Sequence, residues 1–554
     1  MAASTIANHL SILLCIADAA ESNRDALNLL RTRRALYHYR HSILLRHTSI
    51  RIGGQNGIRP LQSLYNSAGT RLDSLSEKIL ELKLAILCCL KPEPAHGRDR
   101  CEDHQTLASM DVLVDEAQKL LQKSTKVQCL TLRQGKCEHY KSGYSLYSTA
   151  EHATLFTGLG RTARNLQSLR RLFLDCPITP ELMHHLNNLS SSITHLIIST
   201  DSARYFDLLR NFRGIAPTLQ QLTIAAPFSG VRMRSHDAVE FPLMRSLSIY
   251  AKLDDFSMVN TRLLARTYPN LRQMHLERSE RPDSVADVRE TSTETQTDPT
   301  QWKHLDYLSS EAYYIHVLGL ESTVKTLCMP ILDSRLPIIL PICNALRPSS
   351  LHITTPVQPR SIQPQEPIKI WTASDATIIQ ILQASDARKA RIDIRTNNPE
   401  TIKRENMHSL LEEICKTSVT ALYLHHEVRE LYKRFQNGNV SRTFLHHQRK
   451  QRFEHARSLS HALKNGSKIE HFYYELKIIG SARHSSRLVE ILEVPFRYYR
   501  HMPSKREKSK YTEGDWENSW RTTLDMQDCT CERHDAIEWD SSHLRWYEPL
   551  ASDS

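Results

Sequence analysis

Apolar and polar positions follow one recurring phrase through the middle of this chain: an apolar residue, two variable ones, an apolar, one variable, an apolar. Five copies stand between Asn165 and Glu277, as Leu169-Leu172-Leu174, Ile193-Leu196-Ile198, Leu219-Leu222-Ile224, Met244-Leu247-Ile249 and Leu271-Met274-Leu276. Their starts are 24, 26, 25 and 27 residues apart. In a chain with 40% apolar residues the phrase alone recurs by chance, so its flanks carry the argument. Pro217, Pro242 and Pro269 each stand two positions before a phrase. Proline cannot continue a helix and pushes its predecessor towards extended geometry. Two of these prolines follow runs that read as helices, Tyr205 to Arg210 and Thr261 to Arg266. Helix, stop and short strand at this period predict a solenoid of stacked parallel strands.

The rhythm extends in both directions. Upstream, a helix from about Leu107 to Gln122 leads into Val127-Leu130-Leu132, a first repeat-like strand, with an insertion around 140–149 before Leu169. Downstream, residues 277–301 are polar and predict a disordered surface loop. Val324-Leu327-Met329 then starts 53 residues after Leu271, about two repeat lengths. Leu351-Ile353, Ile392-Ile394, Val419-Leu422-Leu424 and Ile469-Phe472-Tyr474 continue to about residue 480, interrupted by a loop at 356–367 with four prolines. Before the repeats, residues 8–47 read as three short helices and 48–60 as a loop. Leu72, Leu75, Ile79, Leu82, Ile86 and Leu90 give 61–90 the spacing of a long helix or a helix pair.

The phrase and its period resemble those of leucine-rich repeats, although the asparagine common two residues past the phrase is missing. The N-terminal helices add a second resemblance. The strings from His9 to Ala17, Arg24 to Arg31 and Arg34 to Tyr37 are similar to an F-box, with Leu10-Ser11-Ile12 in place of its usual Leu-Pro opening and Arg33-Arg34 in place of its Cys-Arg. F-box followed by leucine-rich repeats is a familiar combination, common among fungal proteins. The expected fold is therefore α/β: a three-helix F-box-like unit, then an irregular leucine-rich-repeat solenoid with parallel strands and helices on the convex side. The expected divisions are 8–47 for the F-box-like unit, 48–124 for a helical linker or cap, 125–480 for the solenoid and 481–554 for a tail. The residues themselves leave a second reading of 8–47 open, a helical cap on the solenoid, which terminal repeats need.

Composition and charge narrow the function classes. The net charge of +11 is uneven. Arg429 to Lys510 holds nineteen Lys or Arg against seven Glu, while Tyr511 to Ser554 holds three Arg against eleven acids and four of the six tryptophans. Large aromatics are costly in water, which predicts that this tail packs, most simply on the basic stretch of its own chain. Arg442, Arg449, Lys450, Arg452 and Arg457, with Phe444 and Phe453, could meet nucleic acid, but no nucleic-acid-binding motif accompanies them and that partner is not favoured. The twelve scattered cysteines predict reduced thiols, and the longest apolar run, Leu84 to Leu90, is too short to span a bilayer. No secretory signal is read at the N-terminus, so the expected location is the cytoplasm or nucleus, with no membrane partner.

Catalytic chemistry finds no foothold. There is no phosphate-binding Gly-x-x-x-x-Gly-Lys-Ser/Thr, no His-Glu-x-x-His and no Gly-x-Ser-x-Gly. Cys529-Thr530-Cys531 with His534 is too tight for ordinary zinc spacing, and no second pair is near. In the doublets His184-His185, His425-His426 and His446-His447, one ring is expected to pack and the other to meet solvent. No cofactor, no metal and no enzymatic activity are expected.

Binding surfaces are the alternative. The F-box resemblance implies that Leu10, Leu13, Leu14, Ile16, Leu27, Leu30, Leu36 and Tyr37 dock a Skp-type adaptor and, through it, a cullin ubiquitin ligase. In each repeat strand the phrase points inward, so the residues between line the other face. Phe173, Gln221, Thr223, Ser248, Tyr250, Gln273 and His275 are the candidate contacts to an unknown protein target. The expected function is a substrate-recognition subunit of a Skp–cullin–F-box ligase; the alternative is a repeat scaffold that binds protein or nucleic acid with no ubiquitin role.

Overall fold

In a computed structural model, the described residues are 47–52, 79–87, 110–135, 150–176 without 165, 178–200 without 190–191, 206–207, 212–232, 239–252, 261–278, 302–355 without 321, 374–396, 404–430, 468–469, 471–484 and 487–501. They fall into two compact units, one made of Met1–Met329 with Pro341–Pro348 and the other of Pro330–Leu340 with Ser349–Ser554. The expected F-box-like helices end at residue 47 and, but for His47, lie outside the described residues, as do 279–301, the basic cluster from Arg442 to Arg457, and the acidic tail.

The first unit is a set of parallel strands laid side by side in chain order. They are β1 (His47–Ile52), β2 (Glu81–Leu87), β3 (Cys129–Gly135), β4 (Arg171–Asp175), β5 (His195–Ser199), β7 (Gln221–Arg232), β8 (Ser246–Lys252), β9 (Gln273–Arg278), β10 (His304–Ser310) and β11 (Thr323–Pro330). Every neighbouring pair is parallel. A two-residue strand, β6 (Phe206–Asp207), pairs only with the far end of β7. Parallel neighbours need a crossover, and along β4, β5, β7, β8 and β9 paired positions are one repeat length of chain apart. Helices fill several of them: α1 (Met110–Lys123), α2 (Ala150–Ala163), α3 (Pro180–Asn187), α4 (Thr261–Thr267) and α5 (Ala312–Leu318).

Register explains why the phrase recurs. The middle apolar residues pair as one row, Leu82, Leu130, Leu172, Leu196, Leu222, Leu247, Met274, Leu308 and Leu327, and all are buried. Leu84, Leu132, Leu174, Ile198, Ile224, Ile249 and Leu276 form the next row, also buried. Each repeat thus covers the apolar edge of the one before, at about 4.8 Å per strand, and none could bury its face alone. The backbone ladder begins before the strands proper: Arg170, Thr194, Gln220, Arg245 and Arg272 each donate their N–H to the carbonyl of the equivalent residue one repeat earlier.

The missing asparagine has a substitute ahead of the phrase. Thr218 Oγ1 donates to the Ile193 carbonyl at 2.9 Å, and Asn270 Nδ2 donates to the Pro242 carbonyl at 2.8 Å. Both residues stand immediately before a phrase, where a side chain can reach the preceding turn. The buried pattern also starts earlier than the sequence reading placed it. Ala216, Phe241 and Tyr268 precede the three prolines and are fully or nearly fully buried, and the Phe241 and Tyr268 rings lie 5.2 Å apart.

Several expectations change. Residues 81–87 are strand β2, not part of a helix over 61–90, because Ile79-Leu82-Leu84 is itself a copy of the phrase and pairs with β3. Helical spacing and the repeat phrase share the i, i+3 interval, and tertiary pairing decides between them. The loop expected over 48–60 begins as strand β1. Phe206–Asp207 within the run expected to be helical is strand β6, whereas Thr261–Thr267 is helical as expected. The two repeat lengths between Leu271 and Val324 contain β10, whose phrase reads Leu305-Leu308-Ser310; a buried serine in the third place hid it. The helix expected from Leu107 to Gln122 is α1.

In the second unit β12 (Ser350–Thr354), β13 (Lys389–Thr396), β14 (Ala421–Glu430) and β15 (His471–His484) are parallel, and β16 (Arg487–His501) returns antiparallel on β15. The core rows are Leu351-Ala390-Leu422-Phe472 and Ile353-Ile392-Leu424-Tyr474, all buried. The phrase in β13 is therefore Ala387-Ala390-Ile392, two residues before the expected Ile392-Ile394 frame, with alanines where leucine is usual. Helices α7 (Asp375–Ser385) and α8 (Arg404–Ile414) bury Ile378, Ile381 and Leu382, and Leu410, Leu411 and Ile414. Ser374 caps α7: its Oγ accepts from Thr377 N–H, and Asp333 Oδ1 accepts from Ser374 N–H at 2.8 Å. Helix α6 (Leu336–Leu346) contains the division between the units.

Candidate functional site

Strand alternation sends the residues between the core rows to the opposite face, and register lines them up across the first unit. One row runs Arg171, His195, Gln221, Ser246, Gln273 and Tyr307. The next runs Thr131, Phe173, Ile197, Thr223, Ser248, His275 and Ser309, and a third runs Arg133, Asp175, Ser199, Ala225, Tyr250 and Glu277. All seven residues expected to contact a target, Phe173, Gln221, Thr223, Ser248, Tyr250, Gln273 and His275, stand on this face and are half-buried. Gln221, Thr223, Ser248, Tyr250, Gln273 and His275 occupy three adjacent strands. Phe173 lies two strands from Thr223, with Ile197 between them. The eight expected adaptor contacts, Leu10, Leu13, Leu14, Ile16, Leu27, Leu30, Leu36 and Tyr37, lie outside the described residues.

Charge on this face is mostly paired. Arg133 Nε is 3.1 Å from Asp175 Oδ2, Lys83 Nζ is 3.4 Å from Glu81 Oε1, and His275 Nε2 is 3.3 Å from Glu277 Oε2. Burial, with a smaller push from Glu277, raises the Tyr250 hydroxyl above its ordinary range, so it stays a neutral donor and acceptor. Partial burial and the adjacent Arg171 lower His195, whose Nδ1 is 2.8 Å from Thr194 Oγ1. Cys129, beside Arg171 in register, is pushed up to about 11 by burial and by Glu81, which makes it an inert thiol. Arg171 is exposed, and among the described residues no carboxylate lies within ion-pair reach of it. Such a set can hydrogen-bond, stack and neutralise.

The second unit presents a different face. His352, Arg391 and Tyr423 form one row there, and Thr354, Asp393 and His425 the next. Asp393 is 3% exposed and receives a fork from Arg391, Nε to Oδ1 at 2.9 Å and Nη2 to Oδ2 at 3.3 Å. His352 Nε2 donates to Oδ2 at 2.8 Å, and the Arg391 guanidinium sits 4.5 Å from the centre of the Tyr423 ring. His425 Nδ1, at 3.7 Å from Oδ1, is a neighbouring dipole or charge and too far for a hydrogen bond. Burial alone would raise the Asp393 carboxyl; His352, His425 and Arg391 outweigh it and hold the group well below the usual carboxylate range. Both carboxylate oxygens are occupied by the Arg391 fork, so the cluster reads as a tie across three strands. Among the described residues no group of three or more His, Cys, Asp or Glu is arranged to hold a metal ion.

Sequence reasoning missed this cluster because its members are scattered through the sequence, His352 and Asp393 being 41 residues apart. The signal present was an acid immediately after a phrase, Asp393 in β13, with His352 within the phrase of β12 and His425 just after that of β14. It also missed Ile197, Arg171 and His195, which occupy the same phrase positions as residues it did choose. The doublet expectation needs one correction: His426 is fully buried in the core, but His425 faces Asp393 rather than water.

Among the described residues no helix is long and apolar enough to cross a membrane. The chain matches no protein-family model and no curated protein at a significant level.

Proposed function

We propose that this chain recognises a protein target on the outer strand face of its first unit and that residues 8–47 dock it to a Skp-type adaptor of a cullin ubiquitin ligase. The observation that carries the recognition half is the register. It sets Gln221, Thr223, Ser248, Tyr250, Gln273 and His275 on three neighbouring rungs, half-exposed, with mixed polar and aromatic character. Rigid strands hold such side chains in fixed positions, which reduces the ordering cost of binding. The ligase half rests on the resemblance of residues 9–37 to an F-box; transfer chemistry would then belong to the other ligase subunits.

The full-length chain, incubated with purified Skp-type adaptor, should capture it. The triple change Leu13→Ala, Leu14→Ala and Leu30→Ala should abolish capture while the circular dichroism spectrum is retained. No capture by the unaltered chain would overturn the ligase half. Loss of the folded spectrum in the triple variant would assign residues 8–47 to a cap, leaving a repeat scaffold without a ubiquitin role.

A further inference from the structure

The outer face of the first unit has one place where its chemistry is unlike the rest. Phe173 on β4 and Ile197 on β5 are direct neighbours in register, both half-exposed, in a row that continues through Thr131 on one side and Thr223, Ser248, His275 and Ser309 on the other. Two residues earlier on the same strands stand Arg171, exposed, and His195. The acids nearest in the rows, Glu81 and Asp175, are engaged by Lys83 and Arg133. The patch is thus an apolar pair with one cation whose charge no described acid balances.

We propose that this patch binds an extended acidic segment of a partner protein, with an acidic side chain on Arg171 and an apolar one on Phe173 and Ile197. The inference rests on the target-binding reading above and names the chemistry of what is bound. The spacing sets the motif. Arg171 and Phe173 are two residues apart on one strand, so their side chains project about 6.7 Å apart on one face. An extended ligand lying along the strand has the same repeat, so its acidic and apolar residues must be separated by one residue. Arginine and aromatic side chains are the residue types that most often dominate binding energy when a partner covers them. A polyanion such as single-stranded nucleic acid fits less well, because Asp175 and Glu277 lie on the same face and would oppose a continuous phosphate backbone.

The test uses the full-length chain and fluorescein-labelled peptides whose centre is Asp-Ser-Leu-Ser-Ser, Lys-Ser-Leu-Ser-Ser or Ser-Ser-Leu-Ser-Ser, which place no second charge over Asp175, read by fluorescence polarisation. The aspartate peptide should bind at least tenfold more tightly than the lysine peptide, and Arg171→Glu should reverse that order. Phe173→Thr and Ile197→Thr, which keep strand propensity, should each weaken the aspartate peptide at least fivefold with an unchanged thermal midpoint. Equal binding of the three peptides, no binding of any at millimolar concentration, or an order indifferent to Arg171→Glu would overturn the inference. Tighter binding of labelled oligouridine, lost in Arg171→Glu, would overturn it by assigning the cation to phosphate. The ligase half was proposed on residues 8–47 and not on this patch, so failure here leaves it to its own experiment.

Discussion

His352 and Asp393 face each other across adjacent parallel strands with Nε2 and Oδ2 2.8 Å apart, both almost fully buried. An ionised carboxylate can only accept, so this bond fixes the proton of His352 on Nε2. It ties β12 to β13 through side chains as well as backbone, while the Arg391 fork, from Asp393's own strand, holds the carboxylate in place.

The tie predicts an acid-sensitive second unit. Because the folded Asp393 carboxyl is held below its ordinary value of 3.8, its stabilisation is fully present above about pH 4 and is lost as pH falls through the lower folded value. Asp393→Asn removes the buried charge opposite the largely covered Arg391 guanidinium and should cost about 3 kcal/mol at neutral pH. Its unfolding, followed by urea titration from pH 7 to 2, should show a flatter acid limb than that of the parent chain.

Buried hydroxyls without partners predict stabilising changes. Tyr268 is fully buried and among the described residues its hydroxyl has no hydrogen-bond partner; burial raises its titration far above the ordinary range. Ser310 occupies the third phrase position of β10, and its Oγ is likewise unsatisfied. Tyr268→Phe and Ser310→Ala should each raise stability by about 1 kcal/mol, read as a higher thermal midpoint.

Two glycines should fail to accept alanine for different reasons. A Cβ on Gly214 would collide with the Asn187 carbonyl oxygen, a backbone atom that cannot swing aside. Gly214→Ala should cost about 2 kcal/mol and also weaken the 3.0 Å bond from Gly214 N–H to Asn187 Oδ1. Gly319 has open space but a φ of +55°, so Gly319→Ala should cost about 1 kcal/mol through torsion alone. Urea midpoints of the two variants should rank in that order.

The substitute for the absent asparagine is testable at Asn270. Asn270→Ala removes its bond to the Pro242 carbonyl and should lower stability by about 0.5–1 kcal/mol. Asn270→Asp, which cannot donate, should be no better than alanine in the same denaturation assay.

The strand order, parallel pairing and core rows were readable because each repeat must bury the same three positions against the next, which forces a period onto the sequence. Prolines 217, 242 and 269 marked the entries, and the outer-face residues followed by alternation. Two features hid parts of the pattern. Ile79-Leu82-Leu84 shares its i, i+3 interval with a helix, and only its pairing with β3 made it a strand. Ser310 and Ala390 lacked the bulk that the phrase requires, yet their neighbours' register carried them into the core.

By itself the sequence determined a periodic α/β body and which face of each strand would be apolar, since burial demands a local pattern that one chain segment can display. Tertiary structure alone decided what stands beside what on the opposite face. Phe173 meets Ile197, Arg171 lacks a described acid, and Asp393 gathers Arg391 from its own strand and His352 and His425 from the two adjacent ones. The reason is physical: core contacts repeat with the chain's own period, whereas lateral contacts join residues a full repeat or more apart, and nothing in a single repeat records its neighbour's side chain.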